Sequence, residues 1–149
     1  VHVGIDSVAL KGAGFTAHVK EGDNVKAGDL VAEVDLDVLK ANKILFHMEQ
    51  NPKANPPVMA VAMLFNLFAT VMQAFYSPDR SEQGLMAHLE LRQSWQLRDY
   101  TTAMRHYNAM KTMKIIGKLR ETDARLKGIN RGNLTDADIM HELFFFILH

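Results

Sequence analysis

The sequence predicts a mainly α protein: a helical bundle of about six helices, with a short N-terminal β-hairpin segment. Three observations predict it. Five of the nine glycines fall before residue 30, the apolar period changes from strand-like to helix-like at residue 37, and helix caps and stops then recur to the C-terminus. A balance of 48% apolar and 23% charged residues over 149 positions suits one folded domain, or a small domain with an appendage. We therefore expect a β-rich appendage over residues 1–36 and a helical domain over residues 37–149.

Residues 15–19 and 30–34 read as two short strands. In the second, Leu30, Ala32 and Val34 alternate with Val31, Glu33 and Asp35, as in a half-buried strand. Gly22 and Gly28 lie between them, where the chain must reverse and positive φ is useful. Residues 2–10 are a third strand candidate, interrupted by Gly4 and Asp6.

Asp37 is placed to cap a helix that runs to about Gln50 and stops at Asn51-Pro52. Pro56-Pro57 opens a second helix over residues 58–76. Its nineteen mostly apolar residues approach the length that spans a bilayer, but Asn66, Thr70 and Gln73 interrupt them and no basic cluster flanks either end. A central bundle helix, buried all round, is the expectation, with no membrane partner. Residues 79–89 give a short helix with Glu82 in the capping-box place, and residues 94–107 a fourth. A fifth covers residues 109–127 and ends at Gly128, the usual residue just past a helix end. Thr135-Asp136-Ala137-Asp138 caps the last. No internal repeat is evident.

Seventeen basic residues balance seventeen acidic ones, so overall charge calls for no nucleic-acid or anionic-lipid partner. The absence of cysteine removes disulfides, thiolate zinc sites and cysteine nucleophiles together. No signal-peptide pattern opens the chain, and the expected location is cytoplasmic.

Residues 1–43 resemble the C-terminal part of the glucose-type enzyme IIA of the bacterial phosphotransferase system. The resemblance rests on His2-Val3-Gly4-Ile5-Asp6-Ser7-Val8, Leu10-Lys11-Gly12-Ala13-Gly14-Phe15 and Glu21-Gly22-Asp23-Asn24-Val25-Lys26-Ala27-Gly28-Asp29. It implies that His2 accepts a phosphoryl group from a carrier protein and hands it to a membrane transporter. The family's second active-site histidine, on an earlier strand, has no matching residue here.

Residues 37–149 resemble the C-terminal collar domain of the DNA polymerase III delta subunit of the clamp loader. The motifs are Asp37-Val38-Leu39-Lys40-Ala41-Asn42, Asn51-Pro52-Lys53-Ala54-Asn55-Pro56, Ala62-Met63-Leu64-Phe65-Asn66, Ser77-Pro78-Asp79-Arg80-Ser81, Lys111-Thr112-Met113, Thr122-Asp123-Ala124-Arg125 and Glu142-Leu143. The resemblance implies a non-enzymatic helical interaction or oligomerisation module, packed beside other protein subunits in a ring-like assembly for DNA replication. The two resemblances overlap at residues 37–42, and the whole reads as a chimera. The histidine phosphocarrier is the alternative function. Neither reading calls for a cofactor.

Candidate contact residues come from local charge. Residues 98–131 hold nine Lys or Arg against three Asp or Glu. Lys111, Lys114 and Lys118 share a helical face that can meet phosphates or an acidic subunit, although no aromatic residues interleave the stripe to stack nucleic-acid bases. His141 and His149 stand eight apart, whereas a zinc-binding pair on one helix needs a spacing of four, so no metal site is expected. Met59, Met63, Met72, Met110 and Met113 are expected to fill the core. Phe144, Phe145 and Phe146 cannot all face it, which leaves one exposed. Unpaired strand edges and the ring resemblance together suggest self-association.

Overall fold

A computed structural model describes residues 15–149. Six helices and a two-stranded antiparallel sheet make up these residues, so the chain is mainly α with a small β-hairpin. His2 and the strand candidate at residues 2–10 lie outside the described residues.

Strand β1 (Phe15–Ala17) pairs with β2 (Ala32–Val34) in the register Phe15 to Val34, Thr16 to Glu33 and Ala17 to Ala32. The connection is built from two copies of one turn, Lys20-Glu21-Gly22-Asp23 and Lys26-Ala27-Gly28-Asp29. In each, the aspartate N–H donates to the lysine carbonyl at 3.1 Å, and the lysine N–H donates to the aspartate carboxylate at 2.7 Å. The third residue needs positive φ, supplied by Gly22 (96°) and Gly28 (101°), as in a type II turn. A short repeat is therefore present after all, at a six-residue spacing.

Helix α1 (Leu36–Gln50) begins one residue before Asp37, which places Asp37 in the first turn rather than at the cap. Helix α2 (Pro57–Phe75) starts with proline at the first helical position, where its missing N–H costs nothing. Helix α3 (Glu82–His88) starts later than expected. Ser81 is its cap, accepting from the Gly84 N–H at 3.1 Å, while Asp79 accepts from both the N–H and the hydroxyl of Ser81 at 2.8 Å. Glu82 is thus the first helical residue and not a capping-box partner.

Helix α4 (Ser94–His106) is closed at its start by the Gln96 side chain, which accepts from the Gln93 N–H at 3.2 Å. Asn108 caps α5 (Ala109–Leu126) by accepting from the Lys111 N–H at 2.8 Å. The far end of α5 is a Schellman motif: the Ile129 N–H donates to the Ala124 carbonyl and the Gly128 N–H to the Arg125 carbonyl, both at 2.9 Å. Gly128 takes the required positive φ of 93°. Helix α6 (Asp136–Leu148) carries the expected capping box, with Thr135 and Asp138 each accepting from the other's N–H at 3.1 and 2.9 Å.

Helix α2 packs chiefly on α5, α5 on α6, and α1 on α6. Their shared core is Leu45, Val61, Phe68, Ile115, Leu119, Met140, Leu143 and Ile147. A smaller cluster of Ala74, Leu85 and Leu97 seats α3 and α4 against the C-terminal end of α2.

Two expectations are corrected here. Helix α2 is not buried all round: Val61, Phe68, Val71 and Ala74 are buried, while Val58, Met59, Met63 and Phe65 face outward. By length and composition this helix is apolar enough to cross a membrane. Four of the five methionines expected in the core, Met59, Met63, Met110 and Met113, are instead exposed, while Met140 is buried and Met48, Met86 and Met104 pack against the two core clusters. The flexible, unbranched side chain is tolerated on either side of a packed surface. The expectation for the phenylalanine run holds, with Phe145 the exposed member, stacked on His149 at 4.4 Å between ring centroids.

Candidate functional site

Three of the five basic residues of α5, Lys111, Lys118 and Arg125, fall on the side of that helix that meets α6. Buried Thr112, Ile115, Leu119 and Thr122 define its inner face, and Lys111, Lys118 and Arg125 line one flank of it at seven-residue intervals. Lys111 reaches across to the end of α6, where its Nζ donates to the Phe146 carbonyl at 2.7 Å and lies 4.5 Å from the centre of the Phe146 ring. Lys118 bonds Glu142 of α6 and, at 3.2 Å, Glu121 of its own helix. Arg125 closes the network, with Nη1 2.7 Å from Glu142 and Nε 3.4 Å from Glu121. Lys114 faces solvent and enters none of these pairs.

Electrostatically this network is one carboxylate held between two cations. The hydrogen bond from Lys118 is the largest influence on Glu142 and lowers its pKa below the ordinary glutamate value; partial burial opposes it, and Arg125 adds to the lowering. The charge of Lys118 is therefore matched inside the molecule, and its ammonium is turned towards α6. Of the three predicted contact residues, two are brought together with α6 and only Lys114 presents its charge outward.

The histidines are dispersed. His141 Nε2 lies 2.8 Å from Glu49, tying α6 to α1, and the His149 ring nitrogen Nδ1 donates to the Phe145 carbonyl at 3.1 Å. His18 sits 2.9 Å from Glu33 across the hairpin. Among the described residues no three His, Asp or Glu side chains converge in a way that would hold a metal ion.

The described residues also line surface depressions, one of them, of about 360 Å³, beside Leu45, Met48, Pro52, Pro57, Thr135 and Met140. A cleft of about 570 Å³ lies between the hairpin residues Phe15, Thr16, Glu33, Val34 and Asp35 and the C-terminal His149. A groove of about 370 Å³ runs between α2 and α5, floored by Val61, Ala62, Phe65 and Leu119 and rimmed by Asn66, Arg120 and Asp123. Sequence reading missed both the groove and the role of Glu142. The spacing of Lys118, Glu121 and Arg125 signals an ion-paired helix face, but Glu142 comes from another helix and leaves no local signal.

Comparison with known proteins bears on the N-terminal segment. Residues 1–48 match the family described as phosphoenolpyruvate-dependent sugar phosphotransferase system, EIIA 1. The match ends inside α1. The chain is 52% identical over 40 residues to a PTS system glucose-specific EIIA component of Halalkalibacterium halodurans, covering 27% of this chain and 23% of that protein. It is 60% identical over 42 residues to a PTS system N-acetylglucosamine-specific EIICBA component of Klebsiella pneumoniae, covering 28% of this chain and 6% of that protein. No solved structure matches the chain. The phosphotransferase resemblance of the N-terminal segment is thus supported, whereas the family match stops short of α2 and lends the clamp-loader resemblance nothing.

Proposed function

We propose that this chain acts in phosphoenolpyruvate-dependent sugar phosphotransfer on the cytoplasmic side of the membrane, with His2 as the phosphoryl acceptor. The observation that carries this reading is the match of residues 1–48 to the EIIA family, within which His2 opens the His-x-Gly-Ile-Asp run. The chemistry asks for a group that is neutral and nucleophilic near pH 7, which imidazole is. A ring nitrogen of His2 forms a bond to phosphorus as the donor's bond to phosphorus breaks, and the resulting phosphoramidate passes the group to an acceptor in the reverse sense. The helical body, residues 36–148, serves as an interaction module in this reading; its exposed apolar α2 supports that part.

The test is direct. The full chain is incubated with the phosphocarrier protein, its charging enzyme and labelled phosphoenolpyruvate. Acid-labile label that is lost in His2→Ala and kept in His18→Ala is the expected result. Absence of label on a folded chain, or label that survives His2→Ala, would overturn the assignment and leave the helical module as the remaining function.

A further inference from the structure

We infer that Met59, Met63, Met110 and Met113 form a site of reversible oxidation by hydroperoxides, one that takes up oxidant without loss of the fold. This is independent of the phosphotransfer reading. The chain has no cysteine, so its nine methionines are its entire stock of oxidisable sulfur. All nine lie among the described residues, and the fold divides them sharply. Met63 is 70% exposed, Met59 and Met110 60% and Met113 52%, whereas Met140 is 3% exposed within the main core. The other four, Met48, Met72, Met86 and Met104, are half-buried. Thioether oxidation follows access to the sulfur, so the four exposed side chains are the ones an oxidant meets first.

The placement of the four also decides what oxidation does. Met59 and Met63 stand four apart on α2, on the same side as exposed Asn66 and Gln73. Met110 and Met113 stand three apart on α5, on the side that carries exposed Lys114, Arg120 and Glu121. Both faces are therefore hydrated surfaces. In the reaction the sulfur lone pair attacks the terminal oxygen of a hydroperoxide. An S–O bond forms as the O–O bond breaks, the proton on the transferred oxygen passes to the departing one, and an alcohol or water leaves. Sulfur is oxidised and the peroxide reduced, with two electrons passing between them, and the product is a polar sulfoxide. At a buried position that oxygen would lose its hydration with no partner to replace it, which costs stability. At these four positions water solvates it. No core contact is broken, because none of the four belongs to either core cluster. The helices that bear them are held by their opposite faces, through Val61, Phe68, Ile115 and Leu119. Methionine sulfoxide reductases restore the thioether, and an exposed sulfoxide is open to them.

The full chain is treated with hydrogen peroxide, and the oxygen added at each methionine is followed over time by peptide mass spectrometry. Met59, Met63, Met110 and Met113 should each oxidise about tenfold or more faster than Met140, as the difference in access requires. In concentrated urea the nine rates should converge, since unfolding equalises access. The chain oxidised at the four positions should keep its helical circular dichroism and a thermal midpoint within about 3 °C of the untreated protein, as for other surface changes. A methionine sulfoxide reductase with its thiol reductant should return it to the starting mass. Met59→Leu, Met63→Leu, Met110→Leu and Met113→Leu combined should remove the rapid phase of peroxide uptake and leave the melt unchanged. Met140 oxidised as fast as the four in the folded chain, an order of rates unchanged by urea, loss of cooperative melting on oxidation of the four, failure of the reductase to restore the mass, or a rapid phase that survives the four leucines would each overturn the proposal.

Discussion

The ammonium of Lys111, near the start of α5, donates to the backbone carbonyl of Phe146 in the last turn of α6 at 2.7 Å. The last carbonyls of a helix lack intrahelical partners and carry the negative end of its dipole, so a cation there satisfies both needs at once. Its ammonium also lies 4.5 Å from the centre of the Phe146 ring. The contact joins the two helices whose inner faces make up much of the core.

Lys111→Met keeps the stem but removes the donor, and should destabilise the fold by about 1–2 kcal/mol. Lys114→Met, at the solvent-facing lysine between Lys111 and Lys118, should change stability by less than about 0.5 kcal/mol. Chemical denaturation of the two variants checks the contrast. Equal effects would mean that the Lys111 bond contributes nothing.

Glu142 predicts an acid limb to stability. Its folded pKa is depressed, chiefly by the hydrogen bond from Lys118. A depressed carboxylate stabilises the fold above its unfolded pKa, and that contribution is lost as pH falls through the folded value. The stability difference between wild type and Glu142→Gln should therefore be full at neutral pH and shrink as pH drops through and below the ordinary glutamate range. Denaturation midpoints taken across that range test it; a difference that grows on acidification would contradict the sign.

Two glycines of the α5 region should respond in opposite directions. Gly128 holds a φ of 93° at the helix end, where a side chain is strained, so Gly128→Ala should cost about 1 kcal/mol or more. Gly117 lies mid-helix in open space, so Gly117→Ala should stabilise by up to about 1 kcal/mol. Thermal melts of the pair give the signs.

Burial separates a further pair. Leu143 is fully buried between α5 and α6, and Leu143→Ala should cost about 2–5 kcal/mol. Met63→Ala, at an exposed position, should leave the fold within about 0.5 kcal/mol of wild type. Urea titration at low protein concentration measures both.

How much was legible depended on how local each signal is. The cap at Thr135, the stop at Gly128 and the switch from strands to helices are short-range patterns, and each lies where the residues indicate. The start of α3 was ambiguous because both Asp79 and Ser81 are good cap residues; the side chain of Asp79 is engaged by Ser81, which leaves Ser81 to cap. In α2 the three polar residues Asn66, Thr70 and Gln73 stand four and three apart on one side, opposite buried Val61, Phe68 and Val71, so the exposed side is legible in the period although the mean apolar content masks it. The paired turns at Lys20–Asp23 and Lys26–Asp29 recur at six residues, far below the roughly 20 residues at which a repeat becomes a structural unit of its own. The contacts that engage Lys111 and Lys118 involve residues 35 and 24 positions away, which no helical spacing reveals. His2 stands out by its motif alone, and its candidacy rests on the family match.

The central claim is phosphoryl transfer to His2, and phosphorus NMR of the full chain after incubation with the charged phosphocarrier protein tests it most directly. The account predicts a single phosphoramidate signal that disappears on acidification and is absent from His2→Ala. No such signal from a chain whose circular dichroism shows the helical body folded, or a signal undiminished in His2→Ala, would contradict it.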